Sequence, residues 1–332
     1  MAKSLPVTLP TAEDIIASTA RLSALEKVTT VATQHDLPYL DIESLPDGVE
    51  LPTVEEILAT PRQRVSTDTG APIYRVGKHF AVKYGSCDEL GFHISFHEGE
   101  NMLFVQESTN IPIPKLYAMF HDEETGLNFI VQEFIPGHQL GEIWNGLDRA
   151  QRQAIALQIR RNMDELRSIP SPGYYGGIRR QPIRDCHFIT DRVSHRPHPD
   201  KAISGPHETE EEWTEAMLRY LDTDIVNTRP TERQAIPYAD AYRKVFNGHN
   251  GSVFTHSHLY GRNLILREDG TVVIVNWQNA GWYPTYWEYC CSRIGDRPRL
   301  PHHGWEAWVD EMLDAHIAEH DLLLHHMTFI DI

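Results

Sequence analysis

The region between residues 73 and 134 limits the possible folds more than any other part of the sequence. It contains four short runs rich in β-branched and aromatic residues, arranged as two pairs with one helix-like stretch between them. The strand-like runs cover residues 73–76, 80–84, 115–120 and 128–134, and the helix-like stretch covers residues 98–108. A turn beginning Gly77-Lys78 separates the first pair, and a turn at Thr125-Gly126 separates the second. This order of elements predicts an α+β lobe with its sheet on one side.

The sequence becomes mainly helical after Pro136-Gly137. An amphipathic stretch from Arg149 to Ser168 is followed by two prolines that end it. Further helices are predicted over residues 209–221, 237–246 and 305–326, a β-rich block over residues 253–277, and a long irregular insertion over residues 172–206. The resulting division is an N-terminal helical extension (1–50), a small α+β lobe (51–135) and a larger, mainly helical lobe (136–332).

The N-terminal extension carries two helix-start signals. Thr11 followed by Asp14 is typical of a helix N-terminus, and we predict that this helix continues to about Val28. Residues 34–52 are rich in Pro and Asp and are predicted to form a loop. Thr53 and Glu56 have the spacing of a capping box, which predicts a short helix before Pro61.

Composition narrows the range of partners. The formal net charge is -17, so the chain lacks the basic footprint that binding to nucleic acid requires. No apolar run is long enough to span a membrane, and the first residues lack the apolar segment of a signal peptide. Four cysteines without CxxC spacing favour reduced thiols. We therefore expect a cytoplasmic protein without nucleic-acid or membrane partners; its oligomeric state is not encoded in any pattern that we recognise.

Four features with family-specific spacing then follow one another along the chain. They are Lys83 on a strand, Glu100 on the next helix, the connector Gln132-Glu133-Phe134, and the block FTHSHLYGRNLIL…TVVIVNWQNAGW. With these features the chain resembles the aminoglycoside and choline phosphotransferases, which are relatives of the protein kinases, and it is most similar to a large group common in filamentous fungi. The resemblance runs from about Leu51 to Tyr289. It implies a two-lobed, protein-kinase-like fold with a cleft between the lobes.

The resemblance also implies roles for individual residues in the small lobe. Lys83 corresponds to the lysine that contacts nucleotide phosphates. Glu100 corresponds to the ion-pair partner of that lysine, and we prefer it to Glu98 because of its distance from the Ile111-Pro112 turn. Residues 132–134 correspond to the hinge between the lobes.

The large lobe departs from the family pattern at the two most important positions. The catalytic loop of the family reads His-Gly-Asp-Leu, then three residues and Asn, whereas residues 256–263 read HSHLYGRN. His258 thus occupies the position of the catalytic aspartate, and Ser257 replaces the glycine. Asn276 replaces the metal-binding aspartate, whereas Asn263, the secondary metal ligand of the family, is retained.

These replacements are unfavourable to phosphoryl transfer. That reaction depends on metal ions that bridge the phosphates and on a carboxylate that positions the accepting hydroxyl. Magnesium prefers carboxylate and phosphate oxygens, and an imidazole and an amide are poor substitutes. The sequence therefore predicts no metal site and no cofactor.

Each candidate site residue has a functional and a structural interpretation. His258 is either a general acid or base or the result of drift after kinase activity was lost. Asn276 either donates a hydrogen bond to a substrate carbonyl or preserves the local fold as an isostere of aspartate. Lys83 and Glu100 either hold an anionic ligand or form an inherited ion pair. Two tryptophans near the site, Trp277 and Trp282, either belong to the core or line the pocket of a bulky apolar ligand.

The hypothesis that we adopt is a repurposed enzyme. It binds a bulky small molecule, a natural-product intermediate, and catalyses a cyclisation, isomerisation or lyase step without metal or ATP, for example a pericyclic closure. His258 and Asn276 are its predicted catalytic residues, and the predicted substrate-binding residues are Asn263, Lys83, Glu100, Trp277 and Trp282. Two alternatives stay open: a residual phosphotransferase and a catalytically silent pseudokinase that acts as a binding or scaffold protein.

Overall fold

The structure is a computed structural model that describes residues 9–23, 34–61, 72–86, 94–185, 189–191, 196–228, 239–246, 248–294 and 304–330. Its helices are α1 Ala12–Ser23, α2 Val54–Ala59, α3 His97–Ser108, α4 Leu140–Ile143, α5 Arg149–Arg167, α6 Lys201–Ser204, α7 Glu210–Thr228, α8 Ala239–Val245, α9 Trp287–Ile294, α10 Glu306–Met312 and α11 Ile317–Ile330. Its strands are β1 Tyr39–Leu40, β2 Ile73–Val76, β3 Phe80–Ser86, β4 Leu116–Asp122, β5 Leu127–Glu133, β6 His138–Gln139, β7 Ile189–Asp191, β8 Arg196–Pro197, β9 Ser252–Thr255, β10 Leu264–Leu266, β11 Val272–Ile274 and β12 Gly281–Pro284.

The small lobe is built on an antiparallel five-stranded sheet in the order β1-β4-β5-β3-β2. The two predicted strand pairs and the helix between them are confirmed. Val82 and Phe129 belong to the apolar cluster on one face of the sheet. Ile130 and Met119, on the opposite face, pack in the same cluster as the apolar residues of α3. Because side chains alternate along a strand, this second face also carries Lys83, which pairs with Ile130.

The capping box predicted at the start of α2 is confirmed. The Thr53 hydroxyl accepts a hydrogen bond from the backbone of Glu56, and the Glu56 carboxylate accepts one from the backbone of Thr53. The helix ends at Ala59, just before Pro61. Its buried residue Ile57 packs on the sheet face away from α3. A short local signal therefore fixes one outer layer of the small lobe.

The large lobe is mainly helical around an aromatic core. One of its two longest helices, α5, begins at a capping box of Asp148 and Gln151 and buries Ile155 and Ile159. Two short antiparallel pairings, β10 with β11 and β9 with β12, carry the segments that flank the candidate site. The β-rich block predicted from the sequence thus lies in the large lobe, between its helices and the small lobe.

Residues of the predicted N-terminal extension contribute to both lobes. The Thr11 and Asp14 side chains are hydrogen-bonded at the start of α1, and Ile15 is fully buried in the main core. Gln158 of α5 donates hydrogen bonds to the Ile15 carbonyl and to Thr19, so α1 is attached to the large lobe. Strand β1, within the predicted loop 34–52, adds instead to the edge of the small-lobe sheet. The predicted end of the first helix at Val28 lies outside the described residues.

The predicted helix over residues 305–326 is wrong as a single element. It is divided into α10 and α11, because Leu313 is extended and buried and ends the first of them. Asp314, which follows, forms an ion pair with Arg160 of α5 at 2.5 Å. Residues 132 and 133, predicted to belong to the hinge, are the last residues of β5, where they pair with Ala81 and Phe80. The connector therefore begins at Phe134.

Helices that are both long and apolar enough to cross a bilayer do not occur in the described part of the chain.

Candidate active site between the lobes

The ammonium group of Lys83 is the centre of a buried hydrogen-bond network. Strand β3 presents Lys83 on the face toward α3, and its side chain is almost completely buried. Its Nζ donates to both carboxylate oxygens of Glu98, at 2.9 and 2.7 Å, and to Oδ1 of Asn276 at 3.0 Å. An ammonium group has three donors, so all of them are used inside the protein. This bonding joins the small lobe directly to the large lobe.

The predicted pairing of Lys83 with Glu100 is wrong; the partner is Glu98. The two glutamates are two residues apart in the first turn of α3, which separates them by about 200° around the helix. Glu98 faces the sheet, whereas Glu100 faces the insertion after α5. There it forms an ion pair with Arg179 and accepts a hydrogen bond from Gln181 at 2.9 Å.

Asn276 and Asn263 continue the network into the large lobe. Asn276 Nδ2 donates to Asn263 Oδ1 at 3.3 Å, and Asn263 Nδ2 donates to the carbonyl oxygen of His258 at 2.7 Å. The backbone of Asn276 is left-handed, with φ of 70°. Asparagine and aspartate adopt that conformation more readily than most residues, so an amide fits the position where the family has a carboxylate. The network brings together Lys83, Asn263, Asn276 and the main chain of His258.

The imidazole of His258 is held at both ring nitrogens. Nε2 lies 2.9 Å from an Nη atom of Arg262, and Nδ1 lies 2.9 Å from the amide of Asn279. A guanidinium only donates, so Nε2 is the acceptor and the ring is neutral, with its proton on Nδ1. That proton needs an acceptor, and the two ends of the Asn279 amide have nearly the same shape. A half-turn of the amide supplies its Oδ1, a buried oxygen that is otherwise without a partner.

Residues 256–263, which correspond to the catalytic loop of the family and are called the catalytic loop below, have their backbone hydrogen-bonded by His256 and Glu288. His256 Nε2 lies 3.1 Å from the Val275 carbonyl, and its Nδ1 accepts from the backbone N–H of His258. Burial lowers the pKa of His256 to about 3. The Glu288 carboxyl group accepts from the backbone N–H groups of His256 and Ser257, at 2.7 and 3.1 Å. Burial raises the pKa of Glu288 to about 7.

Ser257 has a left-handed backbone conformation of the kind that glycine adopts without strain. Its φ is 64°, a left-handed value that is unfavourable for serine. The Ser257 hydroxyl donates to the buried Asp185 carboxylate and accepts from the indole N–H of Trp287 at 2.9 Å. These bonds offset the backbone strain. They also attach the insertion that carries Asp185 to the catalytic loop.

Trp277 and Trp282 are both buried in the main apolar core. Trp277 is fully buried, stacks edge-on against His256 and donates to the Ile274 carbonyl. Trp282 packs against Phe104 and Phe254. Both tryptophans therefore have the structural role of core residues, because α3 and β9 cover the segment that carries them.

The donor atoms around the former metal position do not fit magnesium. The two carboxylates of the family pattern are replaced by an imidazole whose lone pair accepts from Arg262 and by an amide oxygen that accepts from Lys83. The described residues contain no cluster of three or more His, Cys, Asp or Glu side chains that would hold a metal ion. Hard divalent cations require several oxygen ligands, which this site does not supply. We therefore derive no step through a metal–nucleotide complex.

Several residues of the site were missed at the level of sequence. Glu98 and Glu100 are both glutamates in the first turn of α3. Only the rotation of that helix about its axis determines which of them faces Lys83. Arg262 and Asn279 lie in the motif block, but their contact with His258 follows from the folded loop. Asp185 and Glu288 are distant in sequence from the residues that they hold, and no local pattern identifies them.

Comparison with known proteins gives the family. Solved structures with a similar fold include an APH(2″)-IIa complex with streptomycin and ATP (13% identity; 71% of this chain and 72% of that chain covered; TM-score 0.47). They also include ADP-bound aminoglycoside phosphotransferase APH(2″)-Ib (11%; 80% and 79%; 0.48) and a glucosamine kinase (14%; 78% and 66%; 0.39). No curated protein sequence matches. The model of the phosphotransferase enzyme family matches residues 97–323, and because this match covers more than half of its length, the chain belongs to that family.

Proposed function

We propose that this chain binds a bulky small molecule between its lobes and converts it without metal or nucleotide, by cyclisation, isomerisation or a lyase step. The observation that carries the proposal is the closed network of Lys83, Glu98 and Asn276. One cation and one carboxylate neutralise each other there, and a neutral amide occupies the remaining donor.

The charge of the network supports a metal-free reaction. Aspartates at positions 258 and 276 would add two negative charges beside the balanced pair of Lys83 and Glu98. Such a site needs a dication to offset those charges, and phosphoryl transfer uses that dication to bridge the phosphates. With His258 and Asn276 in place, the need for a dication is absent. A bound nucleoside triphosphate would also lack the metal ion that normally neutralises the charge of its phosphates.

The bonding of His258 narrows the chemistry further. Its Nε2 accepts from Arg262, so this nitrogen takes up a proton only after that hydrogen bond breaks. A reaction accelerated mainly by shape, proximity and fixed dipoles does not need a strong base. Ring closure and isomerisation of a reactive intermediate are reactions of this kind. In this proposal His258 and Asn276 act by fixing the polar wall of the cleft.

A silent binding protein is the second candidate, and the same hydrogen bonds favour it. Every donor of Lys83 and both ring nitrogens of His258 are used within the protein. Such a network suits a rigid binding surface as well as it suits a metal-free catalyst.

Deletion of the gene in the source organism, followed by mass spectrometry of small molecules, distinguishes these functions. We expect accumulation of a compound that is either an isomer of the missing product or larger than it by the fragment that a lyase removes. The purified protein should then convert the accumulated compound in the presence of EDTA and without nucleotide. An accumulated compound that lacks one phosphoryl group would contradict the proposal and identify a phosphotransferase. An unchanged metabolite profile would favour the silent binding protein.

A further inference from the structure

Gln132 has a feature that the described part of the chain does not explain. It pairs with Ala81 of β3 and lies two residues from Ile130, which pairs with Lys83. Residues opposite each other in antiparallel strands share a face, as do residues two apart in one strand. Gln132 therefore lies on the same face of the sheet as Lys83, toward α3 and the large lobe.

The side-chain oxygen of Gln132 lacks a hydrogen bond. The residue is 4% exposed, and its buried Oε1 has no partner among the described residues. Turning the amide by half a turn does not remove the problem, since it places a donor in the same unpaired position. A buried polar group without a partner is unfavourable, and native proteins retain few of them. A group of this kind in a cleft is therefore a candidate for pairing with a ligand.

The part of the large lobe next to the connector is apolar. A small cluster, separate from the two larger cores, consists of Ile135, Ile265 and Val273 with the partly buried Val275. Ile135 follows the connector between the lobes, and Ile265 pairs with Val273 in the β10–β11 pairing, so this cluster lies where the connector meets the large lobe. An apolar floor combined with few polar groups is the usual composition of a small-molecule site, in which the polar groups fix orientation.

We infer that Gln132 reads the substrate of this cleft, and that the substrate is a flat, largely apolar molecule with an amide-type N–H at its edge, as in a lactam. The N–H donates to Oε1 of Gln132, while the ring lies along Ile265 and Val275. This inference rests on the proposed function, because it specifies the substrate class of the same cleft. It needs neither metal nor nucleotide.

Two probe compounds test the hydrogen bond. Quinolin-2-one is a flat bicyclic lactam, and its N-methyl derivative has the same ring without the N–H. Calorimetric titration of the full chain should show that the lactam binds about tenfold more tightly than the methylated compound, as expected for one buried hydrogen bond. In Gln132→Met, the ratio of the two dissociation constants should fall to about one. Equal affinities in the wild type, an unchanged ratio in the variant, or no binding of either probe would each overturn the inference.

Thermal unfolding of the ligand-free protein gives a second, independent readout. Gln132→Met removes an unpaired polar atom and should raise the unfolding midpoint by about 2–4 °C. Gln158→Met is the matched control, because Gln158 is also buried but its Nε2 donates to Thr19 and its Oε1 accepts from Val272. That variant should lower the midpoint. A lower midpoint for Gln132→Met as well would show that the glutamine is structural.

Adenosine separates failure of this inference from failure of the proposed function. Tighter binding of adenosine than of the lactam, with loss of that binding in Gln132→Met, would assign the glutamine to a nucleoside and overturn the inference. Binding of ATP with magnesium followed by phosphoryl transfer would overturn the proposed function. A missing preference for the lactam would leave the metal-free proposal standing.

Discussion

The two halves of the candidate site differ in charge. The small-lobe half consists of Lys83 and Glu98, which are both ionic, both buried and 2.7 Å apart. The large-lobe half consists of His258, Asn263 and Asn276, which contribute a neutral imidazole and two amides. In the sequence pattern of the family, the large-lobe half carries two carboxylates, at the positions of His258 and Asn276. Here the small-lobe half keeps its ionic chemistry, and the large-lobe half has lost it.

This difference shows which part of the site is constrained by folding. A buried lysine needs its carboxylate whether or not a nucleotide binds, since an unpaired buried charge is strongly destabilising. The carboxylates of the large-lobe half are needed only for phosphoryl transfer, one to position the accepting hydroxyl and one to hold a metal ion. Their replacement by His258 and Asn276 leaves Lys83 and Glu98 as a balanced pair, with all three donors of the ammonium group used. The preserved half therefore says little about function, and the changed half says most.

The first and largest prediction separates the two glutamates of α3. Glu98→Gln leaves the Lys83 ammonium buried without a counter-charge and should lower the free energy of unfolding by about 3–5 kcal/mol. Glu100→Gln removes the charge that attracts Arg179 and Arg184 but keeps an acceptor oxygen for Gln181, and should cost much less, about 1 kcal/mol. Urea denaturation of both variants measures the difference. Equal losses would contradict the assignment of Glu98 as the partner of Lys83.

The second prediction concerns the loop of the large-lobe half. Ser257→Ala loses the hydrogen bonds to Asp185 and Trp287 but keeps the left-handed backbone, so it should lower the free energy of unfolding by about 1–3 kcal/mol. Ser257→Gly loses the same bonds but relieves the strain at φ of 64°, and should be less destabilising by about 1 kcal/mol. Chemical denaturation provides both values. If glycine were the worse substitution, strain at this position would not be the reason for the glycine in the family.

The third prediction is a pH dependence with a defined sign. The pKa of Glu288 is raised to about 7 by burial, from an ordinary value of 4.5. Between these two values the unfolded chain loses its proton first, so this residue makes the protein less stable as the pH rises, by at most about 1.4 kcal/mol per pH unit. Glu288→Gln removes the titration. Its stability relative to the wild type should therefore increase from pH 5 to pH 8, as measured by urea midpoints.

Two buried histidines act in the opposite direction and serve as an internal reference. Burial lowers the pKa of both His97 and His256 to about 3. The unfolded chain binds their protons below pH 6.5, so the stability that they contribute is lost as the pH falls from about 6.5 toward 3. Both are present in the wild type and in Glu288→Gln, so their effects cancel in the comparison. A difference between the two proteins that does not change with pH would contradict the raised pKa of Glu288.

The sequence predicts much of the fold because its signals are local. The hairpins around Gly77 and Gly126 and the capping box at Thr53 each depend on a few neighbouring residues, and all are confirmed. The division of the last predicted helix was not predictable in this way. It depends on the burial of Leu313 and on the ion pair between Asp314 and Arg160, which join distant segments.

The candidate site likewise has a part that the sequence predicts and a part that it does not. The positions of Lys83, Asn263 and Asn276 are implied by the resemblance to the family; they lie within β3, just before β10 and shortly after β11. The choice of Glu98 over Glu100 depends on the exact start of α3, and helix boundaries are the least certain result of pattern analysis. Asp185 and Glu288 reach the catalytic loop through tertiary packing alone. Their types and positions contain no periodic or motif signal.

The most direct test of the central claim is a titration with Mn²⁺ and ATP, followed by the electron paramagnetic resonance signal of free Mn²⁺. Because ATP alone binds part of the Mn²⁺, the reference is the same mixture without protein. The wild type should leave the signal of that mixture unchanged, because the network of Lys83, Glu98 and Asn276 is neutral without a dication. The double variant His258→Asp/Asn276→Asp restores two carboxylates and should remove Mn²⁺ from solution in the presence of ATP. Stoichiometric Mn²⁺ binding by the wild type would contradict the claim that this site has lost its metal.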